Sequence, residues 1–229
     1  MTILLIRINM NEHSFILMLW DWKMMPRYKN ENRKQMMSKT RQQLLKAATD
    51  EIANAGYEGA SINRITQMAG VAAGTIYNYF PSKNALMLSL LNEIGAAHCA
   101  FITEQIRQES DFALRLKRLL TVAFDFVKLN PNQARVLFAS LQGANKQFKA
   151  ELSQIYQPMM QMISDEILIP GMKQGVFQWL DPMGTSLLIM TFYLGVGSTV
   201  DENGVTPLDL DSVADFVLRA MGVKMASSH

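Results

Sequence analysis

A single cysteine, Cys99, stands in the 229 residues, and that scarcity excludes two kinds of protein at once. A lone thiol builds no disulfide scaffold and finds no second thiolate with which to hold a metal, so the chain suits a reducing compartment. Histidine is also scarce: His13, His98 and His229 are scattered, and no cluster has metal-ligand spacing. A phosphate loop and a nucleophile elbow are missing as well. His98 and Cys99 are sequence neighbours that cannot face one another on a helix, and Asp165-Glu166 is an ordinary acidic step. No catalytic residue, metal or cofactor is therefore expected, and an enzyme is the least favoured class. With 18% charged and 49% hydrophobic residues the chain is globular rather than disordered.

Long apolar runs are few. ILLI and FILMLW, within residues 1–25, are interrupted by Arg7, Asn9, Asn11, Glu12 and His13 before either reaches the length of a signal-peptide core. Met183 to Val200 is uncharged and about as long as a short membrane span. Its flanks are the acids Asp181, Asp201 and Glu202, and it contains Thr185, Ser186, Thr191, Ser198 and Thr199. A helix buried in the protein or between two subunits fits this better than a membrane span. The expectation is a cytoplasmic protein with no membrane partner.

Net charge is only +2, but the charges are segregated. Arg27 to Lys46 holds seven basic residues (Arg27, Lys29, Arg33, Lys34, Lys39, Arg41, Lys46) against Glu31 alone, while Glu151 onward carries nine acids against Lys173, Arg219 and Lys224. A basic front and an acidic back point to a polyanionic partner at one end only, the alternative being a solvated basic arm. Residues 1–37 join no periodic pattern, and Met36-Met37-Ser-Lys-Thr-Arg reads as a natural domain start. Residues 1–37 are thus expected to be an extension, either disordered or preceding a translation start at Met36 or Met37.

Signals for β structure are missing too, apart from Asn203-Gly204 in one loop, so the chain reads as all-α. Thr40 to Ala55 places Leu44, Leu45, Ala48, Ile52 and Ala55 at helical spacing and ends at Gly56. Ser61 is a cap for a short helix with Ile62, Ile65 and Met68 on one face, stopped by Ala69-Gly70-Val71. Ala73 to Phe80 follows with Ile76 and Phe80 inward, and Pro81 forbids continuation. Two short helices joined by a glycine turn and packed on a longer one form a three-helix helix-turn-helix unit. Ser82 then caps a long helix toward Glu109. Phe112 to Leu129, Pro131 to Leu141, Gln147 to Ile169 (with a kink expected at Pro158), Pro182 to Val200 and Leu208 to Met221 complete a helical bundle. The expected division is an extension at 1–37, a DNA-binding domain at 38–84 and a ligand-binding and dimerisation domain at 85–229.

The segment Ile65 to Leu86, ITQMAGVAAGTIYNYFPSKNAL, closely resembles the signature of the tetracycline-repressor (TetR) family of bacterial transcription regulators, and AATDEIANAGYEGAS of the first helix fits it as well. This resemblance, which covers about residues 40–90, implies a dimeric, sequence-specific DNA-binding regulator, by family habit a repressor released by a small apolar or amphipathic ligand. Ala73 to Tyr79 would lie in the major groove of an inverted-repeat operator. Ala73, Thr75 and Asn78 fall where the family reads bases, with Ala72 and Gly74 beside them, and Tyr77, Tyr79 and Lys83 fall where it grips phosphate. Ser61, Asn63 and Arg64, with Lys39, Thr40 and Arg41, would complete the clamp.

Two departures from the family pattern stand out. Ala72 replaces the usual Ser or Thr, removing the hydroxyl cap of the recognition helix, and Thr66 replaces an alanine, which a back-bond from its hydroxyl would absorb. The recognition helix is poor in Arg and Lys, so reading falls to Asn78, thymine methyl contacts and DNA shape. One such module reads too little sequence to find a site in a genome, so a homodimer is expected through the last two helices, where Gly195 and Gly197 permit close approach. Phe101, Phe124, Phe138, Met159, Met162, Phe177, Trp179, Met190 and Phe192 are the candidate lining of an effector cavity, plain core being the alternative for each. The competing function is a small-molecule-binding dimeric scaffold whose DNA binding has weakened, a reading that Ala72 keeps open.

Overall fold

The structure, a computed structural model, describes residues 12–197, 199–201 and 205–223, with side chains from residue 33 onward. Among these residues there are helices and no strands. The expected start at Met36 or Met37 and the extension before it rest partly on residues 1–11, which lie outside the described residues. Two compact units are distinguished, residues 1–44 and residues 45–229. Helix α1 spans Glu12–Gly59, beginning well before the Thr40 that the apolar periodicity indicates. In its last turn Gly56 has φ 70° and ψ 167°, a conformation open to glycine, and this marks the true end of the helical run.

Within residues 45–229 the short helix α2 (Ile62–Met68) leads through Gly70, at φ 70°, into a second short segment, Ala73–Asn78. That segment is a 3-10 helix and two residues shorter than the Ala73 to Phe80 α-helix expected from sequence. The physical reason lies in its ends. Ala72 has no side chain able to cap it, Pro81 closes it, and six residues between two stops favour i→i+3 bonds such as Thr75 N to Ala72 O at 2.9 Å. Ile65, Ile76 and Phe80 are almost completely buried and fix α2 and the 3-10 segment to the domain's small core.

The bundle follows as α3 (Lys83–Ile106), α4 (Phe112–Leu129), α5 (Pro131–Gln142), α6 (Lys146–Met162), α7 (Ile169–Lys173), α8 (Pro182–Gly197) and α9 (Leu210–Ala220). Starts are chemically specified. The side chains of Ser82, Asp111, Asn145 and Asp209 accept backbone N–H bonds at the first turns of α3, α4, α6 and α9. The single helix expected over Gln147 to Ile169 is instead α6 followed by a π-helical turn, Ile163–Leu168, that runs on into α7. α3 is the central helix: Leu86, Leu90, Leu91, Ile94, Ile102 and Ile106 face the core, and it packs against both α4 and α6. Its length and apolarity would also suit a membrane span, a pattern that a central bundle helix shares. α8, at sixteen residues, is shorter than a span.

Candidate nucleic-acid interface and effector groove

The helix-turn-helix presents its reading face by burying the opposite one. With Ile76 and Phe80 held inward, the side chains of Ala72, Ala73, Tyr77 and Asn78 are exposed, and those of Thr75 and Tyr79 partly so. Tyr77 is 56% exposed, too much for a core role. Asn63 and Arg64 are exposed on α2. Lys39 is exposed and Thr40 and Arg41 partly exposed on α1, in the other compact unit. Thr66 bonds back to the carbonyls of Ile62 (3.1 Å) and Asn63 (3.0 Å), so its hydroxyl is satisfied within α2.

Two predicted contacts take a different form. Ser61 occupies the N-cap position of α2, but its side chain makes no cap bond; its own N–H donates to Glu51 Oε1 at 3.1 Å. Glu51 is 2% exposed, and its other oxygen lies 3.4 Å from Arg64 Nε. This buried carboxylate sets the start of α2 and the direction of Arg64, a role the sequence reading missed. The available signal was an acid placed one residue before Ile52 on the apolar face, since a buried charge must be paired. Lys83 Nζ donates to Glu58 O at 3.1 Å and sits 5.0 Å from the centre of the Tyr57 ring.

Along α3 and α6 runs a groove of about 750 Å³ lined by Cys99, Ala100, Thr103, Glu104, Arg107 and Gln108 on one side and Ile155, Pro158, Met159 and Met162 on the other. Its walls are mainly apolar, with Glu104, Arg107 and Gln108 toward one end. Of the candidate cavity residues the structure brings Met159 and Met162 here. Phe138 borders a second, much smaller space beside His98, Tyr156 and Tyr193. Phe101 packs on Phe126 and Phe124 on Tyr193, both as parts of the aromatic core. Phe177 covers Gly171, where a Cβ would fall 2.4 Å from its ring; Met190 is buried. Phe192 stacks on Phe216 with ring centres 6.0 Å apart, and Trp179 is 72% exposed. The α3 side of the groove, Ala100, Thr103, Glu104 and Arg107, lies outside the residues expected from sequence, because small and polar side chains at helical spacing carry no signal that separates a groove wall from a solvated face. Pro158 does belong to the groove, as part of its wall.

Behind the groove lies a buried polar chain. The Tyr156 hydroxyl is 2.7 Å from His98 Nδ1, Tyr193 Oη is 3.0 Å from His98 Nε2, and Tyr193 donates onward toward Ala123 O at 3.5 Å. Every polar atom is satisfied if Tyr156 donates to Nδ1 and Nε2–H donates to Tyr193. Burial lowers the His98 pKa to about 4, only partly offset by a backbone hydrogen bond to Ala123, so the ring is neutral near pH 7. Burial likewise pushes the Cys99 thiol up to about 12, which makes it a poor nucleophile. Among the described residues no group of His, Cys, Asp and Glu could hold a metal ion.

Comparison with known proteins covers both halves of this architecture. Residues 44–90 match the profile of bacterial regulatory proteins of the tetR family, and residues 94–199 match that of the YsiA-like protein C-terminal region. The fatty acid metabolism regulator protein of Bacillus subtilis (strain 168) is 28% identical over 176 residues, 76% of this chain and 87% of that protein. The nucleoid occlusion factor SlmA of Pasteurella multocida is 27% identical over 125 residues, 54% of this chain and 63% of its own length. The crystal structure of the transcriptional regulator FadR from Bacillus subtilis, in complex with stearoyl-CoA, superimposes with a TM-score of 0.68 at 25% identity, covering 79% of this chain and 96% of that one.

Proposed function

The chain belongs to the tetR family of bacterial regulatory proteins and is a DNA-binding transcriptional regulator; from that premise we propose that it is a cytoplasmic homodimeric repressor, released from an inverted-repeat operator by an amphipathic acyl ligand held between α3 and α6. The observation that carries the DNA-reading assignment is the exposed face Ala73, Tyr77 and Asn78, held outward by buried Ile76 and Phe80. In this reading Ala73, Thr75 and Asn78 meet base edges and Tyr77, Tyr79 and Lys83 meet phosphate, and Ser61, Asn63, Arg64, Lys39, Thr40 and Arg41 are further DNA contacts. Lys83 would exchange its bond to the Glu58 carbonyl for a phosphate oxygen at the N-terminus of α3, where the helix dipole also favours an anion.

The groove is within the usual size range of ligand sites, and its apolar walls with one polar end match a long chain bearing a polar head. That a similar regulator binds stearoyl-CoA supports an acyl thioester as the ligand class. The second copy would cover the apolar outer face of α8 and α9. Leu187, Leu188 and Phe216 are 56%, 69% and 63% exposed on these two helices, and large apolar side chains left to water mark a surface for a partner. No catalytic role is assigned: the buried histidine is held neutral between two tyrosines, and the similar proteins are regulators.

The test is selection of duplexes from a randomised DNA library, with and without stearoyl-CoA. Enrichment of an inverted repeat, lost on addition of the thioester, is expected; a folded dimer that enriches no sequence would overturn the reading in favour of the ligand-binding scaffold, for which the uncapped Ala72 is the specific support. On the selected duplex Lys83→Ala should weaken binding and lower the salt slope by about one.

A further inference from the structure

The groove between α3 and α6 has two unlike ends. Contacts between the helices succeed one another in order: Asn84 bonds Gln147, Asn92 bonds Glu151, and at Gly95 the helices touch, so closely that an added Cβ would lie 2.7 Å from Ile155 Cγ2. From there they part and the groove begins, with Cys99 and Ile155 at its near end and Glu104, Arg107 and Gln108 at its far end, where Arg107 pairs with Glu166 at 3.2 Å. A chain laid in the groove and pushed past Cys99 meets Ile155 seated on the bare backbone of Gly95, where there is no second side chain to rotate aside. We propose that the Gly95–Ile155 crossing is the stop of the groove and limits an acyl ligand to about ten buried carbons, with Ile155 as the residue that sets this length. This rests on the groove being the effector site and adds to that reading the length of chain it selects.

Polarity fixes the direction of the chain. A polar head keeps its water beside Glu104, Arg107 and Gln108, which are exposed, whereas at the near end the closest polar side chains, His98 and Tyr156, are buried and already bonded to each other at 2.7 Å. The tail therefore points at Ile155. Its length follows from helix geometry: Cys99 to Arg107 is eight residues, about 12 Å along the axis. An extended alkyl chain with bonds of about 1.52 Å at a near-tetrahedral angle advances about 1.25 Å per carbon, so about ten carbons fill that span. Each methylene moved from water onto the walls gains about fourfold in affinity, and carbons beyond the stop have no wall to cover them and gain little. The stop is also firmly held. Gly95 is buried, Tyr156 beside Ile155 is anchored to His98, and His98 is bonded in turn to Tyr193 of α8 at 3.0 Å.

Titration calorimetry of the full chain without DNA, with coenzyme A thioesters from hexanoyl to palmitoyl, reads the stop. Affinity is expected to rise about fourfold per carbon up to about ten carbons and then to level off, so that longer thioesters bind no tighter. In Ile155→Ala the space left by the lost side chain continues the groove toward Gly95, and the break should move about two carbons longer. Cys99→Leu adds bulk at the same end and should move it about two carbons shorter. Folding is checked by circular dichroism, and because the variants push the break in opposite directions, either one alone still tests the stop. Ala100 lines the groove and is exposed, so Ala100→Trp fills the space and should abolish thioester binding. An affinity that climbs without a break to palmitoyl, or a break that stays in place in the folded variants while Ala100→Trp still blocks binding, overturns the stop and leaves the groove as the effector site. Binding that survives Ala100→Trp, or no binding at any chain length, overturns the groove reading and the stop with it.

Discussion

His98 shows how one side chain, given no catalytic role by the sequence, sets a property of the whole protein. Its imidazole takes up a proton near pH 6.5 in an unfolded chain but only near pH 4 in the folded one. Between those values the unfolded state holds more protons, so the stabilisation is fully present above about pH 6.5 and is lost as pH falls toward 4. The loss amounts to roughly 3 kcal/mol when complete. Urea midpoints should fall over that window, and His98→Gln should remove this component; equal slopes in both proteins would show that other groups carry the acid sensitivity. Ala72 makes the opposite case, a side chain whose lack of chemistry matters. Ala72→Ser restores an acceptor at the N-cap of the recognition segment, where Gly74 N–H is within the usual reach of such a cap, and should stabilise the domain by about 1 kcal/mol while tightening duplex binding. Unchanged melting and unchanged affinity would mean that the 3-10 geometry leaves no room for the cap.

Among the elements, α8 departs most from the simple expectation. Gly195 and Gly197 both read as sites of close helix approach between subunits. Gly197 instead receives the ring of Phe138 from α5 of its own chain, where an added Cβ would fall 2.3 Å from the ring, while a Cβ at Gly195 would point into open space on the outer face. Gly197 therefore serves the core of its own chain. Gly197→Val should cost about 1–3 kcal/mol through overpacking against Phe138, measurable as a lowered denaturation midpoint, with dimer affinity changed much less. A large loss of dimerisation at unchanged monomer stability would reverse that assignment. α6 teaches a related lesson. Pro158 removes a backbone donor but leaves the helix running to Met162, and the irregularity falls later, in the π turn.

For the whole molecule the decisive prediction concerns assembly. Leu188→Glu with Phe216→Glu places two charges on the exposed apolar face of α8 and α9, and sedimentation should show a monomer that retains its helical spectrum but no longer holds the inverted repeat. A double variant that remains dimeric would move the interface elsewhere.

Apolar spacing, glycine stops and proline breaks are local, so the all-α character, the order of the helices and the helix-turn-helix with its AGVAAGTIYNYF motif were legible in the chain. The glycine turn at Gly70 and the caps at Ser82, Asp111, Asn145 and Asp209 rest on the same short-range signals. The 3-10 form of the recognition segment, the burial of Glu51 beneath Arg64, the course of the α3–α6 groove and the tyrosines on either side of His98 did not. The 3-10 form is set by the short run between two stops, while the others join residues 13 to 95 positions apart, and a helical period shows which face a side chain occupies without showing what packs against it. Met159 and Phe177 have the same composition and periodicity signature; only the packing of α3 against α6 and of Phe177 on Gly171 makes one a groove wall and the other core.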